Sequence, residues 1–121
     1  MARDVPSVID ESTVTQRLGS ELPEWTLKDG WIRREYKTTN WQHTMMVVNA
    51  IGYIAEAAFH HPDLTVTWAQ VNVKLMTHAA KGITENDFEL AKLIEQQVMW
   101  RPSEAQSLDG YEAGMKKKWT R

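Results

Sequence analysis

Three of the four histidines in this 121-residue chain stand where regular structure is due to stop. His60 and His61 directly precede Pro62, and a proline pushes the residue before it out of the α region. His78 follows an alternating apolar run. Imidazole gives and takes protons near neutrality because its ordinary pKa is about 6.5. Glu56 lies one helical turn before His60, close enough to orient or charge a ring. Two or three imidazoles with a carboxylate would make an acid–base site if the fold drew them together. Each residue also has a plainer reading. His60 and His61 suit a solvated helix end, where imidazolium meets the helix dipole. Glu56 fits an exposed stripe, Asp87 a helix cap, and His43 a surface or hydrogen-bonded structural position.

Other chemistries fare worse. Three histidines could hold zinc, but the usual His-x-x-x-His spacing is missing and adjacent His60 and His61 are awkward ligands for one ion. No metal site is expected. Without cysteine there is no disulfide, thiolate site or thiol nucleophile. A serine triad, a phosphate-cradling glycine loop and a dinucleotide fingerprint are absent. Fourteen Lys+Arg against sixteen Asp+Glu give a net charge of −2, no electrostatic reason to expect nucleic acid or a membrane surface. Met1 to Pro6 has no apolar core and does not read as a secretory signal. The most apolar stretch, Met45 to Phe59, contains Asn49 and Glu56 and falls short of a membrane span. A cytoplasmic protein is expected.

The elements that must position these residues follow from local pattern. One domain is the natural count at this length, with a core over about residues 10–100 and a C-terminal extension over 101–121. A first helix is expected from about Asp10 to Leu18, with Asp10 or Ser12 as cap, Val14 and Leu18 as an apolar pair, and Gly19 as its exit. Asp29-Gly30 between two β-prone runs signals a hairpin with a type I′ turn. Asn40 can cap a long helix from about Trp41 to Phe59. Trp41, Met45, Val48, Gly52, Ala55 and Phe59 form one apolar face of it, and Val47, Ile51, Ile54 and Ala58 a second. Gln42, Asn49 and Glu56 leave a single polar stripe. A helix apolar on two faces in so small a domain predicts one face on a sheet and one on another subunit.

A strand over Thr65–Trp68, a short link at Ala69 and a strand over Gln70–Thr77 make the second hairpin. Val71, Val73 and Leu75 share one face of it. If that strand stays regular, His78 falls on the face of Asn72 and Lys74 unless a bulge at Thr77 intervenes. Thr84 caps a last helix over about Glu85–Trp100, with Asp87 at its third position. Leu90, Ala91, Leu93, Ile94 and Val98 are its packed residues. The order is α-β-β-α-β-β-α: an α+β fold whose four-stranded antiparallel sheet carries three helices on one face. Lys116, Lys117 and Lys118 read as a solvated end.

Glu56, three residues, His60-His61-Pro62, then Trp68, His78 and Asp87 resemble the signature of the pterin-4a-carbinolamine dehydratase family at every spacing. Val71 to His78, Gly82 to Ala91 and Leu22-Pro-Glu-Trp25 are also similar to it, so the likeness spans about Asp10 to Trp100. The resemblance implies a four-stranded antiparallel sheet with three helices, assembled as a homodimer or homotetramer. It implies dehydration of 4a-hydroxytetrahydropterin to quinonoid dihydropterin, with no metal or redox cofactor. His60 and His78 match the family's acid/base pair, and His61 the histidine that helps hold the pterin. Glu56 and Asp87 match supporting acidic positions, and Trp68 an aromatic expected to pack beside the site. Some members act as dimerisation partners of transcription regulators and some relatives as assembly factors, which makes a non-catalytic partner the alternative function. Two departures stand out. Thr38 to Met46 lacks the family's phenylalanine-rich look, and the chain continues past the family's usual end.

Overall fold

A computed structural model describes residues 4–121. Helix α1 spans Glu11–Glu21, and its N-terminus is closed by the Asp10 carboxylate, which accepts from the Thr13 amide. A hydrogen bond from the Ser12 hydroxyl, with those from the Thr13 amide and hydroxyl, holds the Asp10 carboxyl down at about 2. The helix does not stop at Gly19. It continues until Leu22, whose amide still bonds the Leu18 carbonyl, because Leu18 and Leu22 are both buried and Pro23 follows. Strands β1 (Thr26–Lys28) and β2 (Trp31–Lys37) meet through Asp29 and Gly30, both at positive φ (53° and 80°) as a type I′ turn requires.

Helix α2 spans Trp41–Ala58, with the Asn40 side chain accepting from the His43 amide. Strand β3 spans Asp63–Thr67 and β4 Gln70–Leu75, joined by a turn at Trp68 and Ala69. β3 therefore starts two residues earlier than its composition suggests, and Trp68 belongs to the turn. β4 ends at Leu75, and Thr77 forms only an isolated bridge with Gly82. Helix α3 (Glu85–Val98) opens on a full capping box between Thr84 and Asp87. A four-residue helix, α4 (Met115–Lys118), lies in the tail.

The sheet order is β1-β2-β4-β3, antiparallel throughout. Register places Ile32 opposite Leu75, Arg34 opposite Val73 and Tyr36 opposite Val71. That face is buried against Val14 and Leu18 of α1, Val47 and Ile51 of α2, and Phe88, Ala91 and Ile94 of α3. The fold is the expected α+β arrangement. One packing expectation changes. Leu93 and Trp100 are half exposed, and α3 ends at Val98, because Leu90, Ala91, Ile94 and Val98 already fill the inward arc. On α2 only one arc is buried, through Thr44, Val47, Ile51 and Ala55, while Met46, Tyr53 and Ala57 face outward.

Glu95 ties α3 to the sheet. Its carboxylate accepts from Trp25 Nε1 (2.9 Å), Arg34 Nε (3.0 Å) and Tyr36 Oη (2.7 Å). Burial pushes its pKa up, but these donors outweigh burial and hold it below the ordinary value. The Tyr36 hydroxyl, buried and facing that carboxylate, is pushed far above its usual value.

The tail docks on its own chain. Arg121 exchanges both backbone hydrogen bonds with Lys37 (2.8 and 2.9 Å), extending the pairing of β2 by one residue. Trp119 stacks on His43 with ring centres 3.6 Å apart and planes 9° off parallel. Thr120 is buried, and Arg101 donates to its carbonyl. Lys116, Lys117 and Lys118 are exposed.

Candidate active site

α2 ends in a way that decides where its histidines go. Phe59 takes a left-handed conformation (φ 52°, ψ 42°), its amide bonding the Glu56 carbonyl (3.1 Å) and the His60 amide the Ala55 carbonyl (3.2 Å). This is the helix-ending geometry that glycine usually occupies. A β-carbon there carries strain, and residues held so are concentrated at functional sites. The reversal takes His60 out of the helical repeat, so its ring leaves Glu56 and turns toward the start of α3.

His60 Nε2 lies 2.7 Å from Asp87 Oδ1. Asp87 is fully buried and His60 is 18% exposed. The other carboxylate oxygen, Oδ2, accepts from the Thr77 hydroxyl (2.8 Å) and the Thr84 amide (2.9 Å). The Thr77 and Thr84 hydroxyls are 2.7 Å apart. A buried carboxylate is tolerated only when such donors replace the water it has lost. Asp87 is thus both the cap of α3 and the partner of His60, and the two readings of that residue coexist. In the sequence Thr84 reads as a helix cap and Thr77 as a candidate bulge, and neither is assigned to the site. The signal was present, since Thr77 adjoins His78 and Thr84 is the cap three residues before Asp87.

Glu56 pairs with His61 instead of His60, at 3.0 Å between Oε2 and Nε2. Both side chains are more than half exposed, so water screens the pair and its contribution to stability is small. His61 also meets the Phe59 ring edge-on, centres 5.8 Å apart. Pro62 is half-buried and leads directly into β3.

His78 follows the alternation of β4 past its end. Val73, Leu75 and Thr77 turn toward the helices, and no bulge resets the count. His78 therefore lies on the other side, exposed, edge-on to Trp31 at 5.5 Å. The Lys74 ammonium sits 4.4 Å over the same indole. Among the described residues no side-chain hydrogen bond joins His78 to His60 or His61. Trp68 does not pack beside the histidines. It is 63% exposed at the far end of the β3–β4 hairpin, about 16 Å from Asp63 at the start of β3 at the usual rise per residue.

An open groove of about 820 Å³ runs past His60, between Ala58 and Phe59 at the end of α2, Thr77 and Ala79 after β4, Asn86 and Glu89 on α3, and the N-terminal Asp4 to Pro6. The described residues hold no group of three His, Asp or Glu side chains placed to bind a metal ion. The arrangement can move protons: one half-buried imidazole is backed by a buried carboxylate, and two exposed imidazoles belong to neighbouring segments.

An antiparallel sheet is covered on one face, and α2's end, β4's end and α3's start meet at a histidine–carboxylate pair beside a groove on this α+β scaffold. The chain belongs to the Pterin 4 alpha carbinolamine dehydratase family, whose model matches residues 7–97. It is 47% identical over 90 residues to a protein of Aquifex aeolicus (strain VF5) named "Putative pterin-4-alpha-carbinolamine dehydratase", covering 74% of this chain and 90% of that one. A Sulfolobus acidocaldarius protein of the same name is 38% identical over 88 residues, 73% of this chain and 96% of the relative. Among solved structures, "transcriptional coactivator/pterin dehydratase from Brucella Melitensis" superposes with a TM-score of 0.67 at 25% identity, over 74% of this chain and 96% of that one. A pterin dehydratase-like protein described as a RuBisCO assembly factor in the alpha-carboxysome shares the fold at a TM-score of 0.50 and 18% identity, over 60% of this chain and 84% of that one. The docked tail lies beyond the family match.

Proposed function

We propose that this protein is a hydro-lyase that eliminates water from 4a-hydroxytetrahydropterin to give quinonoid dihydropterin. The observation that carries the reading is the His60–Asp87 pair at the edge of an open groove, in a chain of this family. In the reaction an acid delivers a proton to the 4a-hydroxyl. The C4a–O bond breaks with release of water as the N5 lone pair forms the C4a=N5 double bond. N5 then gives its proton to a base. No electrons are gained or lost, so a proton donor and a proton acceptor suffice. His60 and His78 are the proposed acid/base pair and His61 the pterin-holding residue, with Glu56 orienting His61 and Asp87 orienting His60. Pro62 fixes the chain direction between them. Trp68, at the far end of the hairpin, is left out of the site.

Stopped-flow measurement of carbinolamine decay with and without the protein tests the reading. Acceleration that is lost in His60→Ala supports it, and decay at the uncatalysed rate with the folded wild-type protein rejects it.

The outward face of α2 favours a second reading. Tyr53 (80% exposed) and Met46 (52% exposed) stand with Ala57 on one helical stripe, an apolar surface of the kind that marks association sites. Self-association there gives the homodimer or homotetramer. The same face would serve a non-catalytic dimerisation or assembly role, which the decay assay separates from catalysis. The expected setting is cytoplasmic, with a small-molecule pterin and neither nucleic acid nor membrane as partner. Among the described residues no helix is long and apolar enough to cross a membrane.

A further inference from the structure

We infer that Thr77 and Thr84 are positioning residues that fix the tautomer of His60, making Nδ1 the nitrogen through which that ring exchanges protons with a bound substrate. The inference deepens the proposed dehydratase site and rests on that reading for its kinetic part.

The argument counts donors and acceptors. Asp87 is fully buried, and Oδ2 already takes the Thr77 hydroxyl and the Thr84 amide. Both donors favour the ionised carboxylate. A carboxylate only accepts, so the 2.7 Å contact from Oδ1 requires a proton on His60 Nε2. In the neutral ring the second nitrogen, Nδ1, then carries the lone pair. Among the described residues Nδ1 has no hydrogen-bond partner, and His60 lines the groove. Direction propagates one step further. The single Thr77 hydroxyl proton is committed to Asp87, so at 2.7 Å the Thr84 hydroxyl donates to Thr77, while Thr84 Oγ1 accepts from the Asn86 amide. The cap of α3, the turn after β4 and the end of α2 are thereby joined in one oriented chain: Thr84 to Thr77 to Asp87, with His60 donating from the other side. Every link is buried or nearly so, where an oriented network is stiff and a missing partner is costly.

Loss of the Thr77 hydroxyl removes one of the donors that compensate the Asp87 charge. Less-compensated charge binds imidazolium more strongly and fixes the ring less well. Two measurements test this. The first is long-range 1H–15N NMR of histidine-labelled wild-type protein, which reads the tautomer of His60 whether or not the protein turns over a pterin. The expected result is a proton on Nε2 and a bare Nδ1 in the neutral ring. A proton on Nδ1 overturns the inference while leaving the proposed reaction standing. The second is kinetic, in Thr77→Val, which keeps the shape and deletes the hydroxyl. Turnover is expected to fall about 10-fold, the scale of losing a partner that orients a working histidine, with KM changed less than kcat. Thr77→Ser should restore kcat. Wild-type kcat in a folded Thr77→Val variant overturns the role of Thr77. Should Thr77→Val not fold, the wild-type tautomer alone decides. Should the wild type show no dehydratase activity, the proposed function fails and the NMR result still decides the tautomer.

Discussion

α2 carries a histidine at each end, and the two are held in opposite ways. His43, in the first turn, is sealed. Its Nδ1 accepts from the Thr39 amide (3.1 Å), its Nε2 meets the Thr120 hydroxyl (2.8 Å), and its face is stacked on Trp119. His60, just past the last turn, has one nitrogen committed to Asp87 and borders a groove. Both rings are engaged, so burial alone does not tell them apart. The difference lies in what is left over: His43 has no nitrogen free and His60 has one. A histidine whose whole capacity is used by the protein holds structure together, whereas one with spare capacity can exchange a proton.

Replacement of the two rings tests the contrast most severely. His60→Ala is expected to lower dehydratase turnover by about 10²–10⁴-fold, the usual weight of a general acid or base, with the fold retained. His43→Ala should keep turnover within a few-fold. Steady-state kinetics on both variants, with circular dichroism to confirm folding, decides the matter. Equal losses in the two would erase the distinction drawn from their nitrogens.

Asp87→Ala comes next. It removes the capping-box partner of α3 and leaves the buried Thr77 hydroxyl and Thr84 amide without an acceptor. Loss of the cap on the Thr84 amide costs about 1 kcal/mol and the orphaned Thr77 hydroxyl about 1–3 kcal/mol. Denaturant unfolding should therefore show a loss of about 2–4 kcal/mol, together with a large fall in turnover. A variant as stable as wild type would mean that Asp87 is not the buried hub described above.

How far each end of α2 could be read from the sequence follows the same physics. Asn40, Thr84, Asp87 and the Asp29-Gly30 turn act within four residues of themselves, so their types announce them. Alternation in β4 correctly placed Val71, Val73 and Leu75, and carried through Thr77 it also put His78 on the Lys74 side. What stayed hidden depends on partners far along the chain. Glu56 looked like the partner of His60 by helical spacing, until the left-handed Phe59 gave it to His61. Gly19 resembled a helix exit, but burial of Leu22 carried α1 past it. Nothing local in the polar tail shows that Trp119 lies on His43 or that Arg121 pairs with Lys37, because those contacts span more than 70 residues. Their places at the ends of elements brought the histidines to attention and the family likeness sharpened that reading, but the two threonines that orient Asp87 become visible only when its oxygens are counted.

The sealed end can also be loosened without touching the chemical one. His43→Ala removes a stacked pair, worth about 0.5–1.5 kcal/mol, and a buried hydrogen bond of about 1 kcal/mol. Tail docking should weaken by about 1.5–2.5 kcal/mol. Faster amide exchange at Lys37 and Arg121, with unchanged exchange in β4, would report it. Unchanged exchange at Lys37 and Arg121 would show that Trp119 and Thr120 hold the tail without the imidazole.

The smallest expected effect is of pH on that same contact, and its sign is set by the ring's surroundings. Burial first, and the Arg101 charge second, lower the pKa of His43 in the docked state below its ordinary value. Released, the ring faces water and titrates near 6.5. The released form therefore binds the proton more readily, so docking is at full strength above pH 6.5. It weakens as pH falls from there toward the lower, docked-state pKa, and then levels off. Geometry gives the same sign, since a proton on Nδ1 would face the Thr39 amide donor. An NMR titration of the Lys37, Thr39 and Arg121 amides between pH 7.5 and about 5 should show their shifts moving together toward those of a chain truncated at residue 101. In His43→Gln, where nothing titrates, the same amides should hold still. Movement in that variant as large as in wild type would place the pH response elsewhere and leave His43 a packing residue alone.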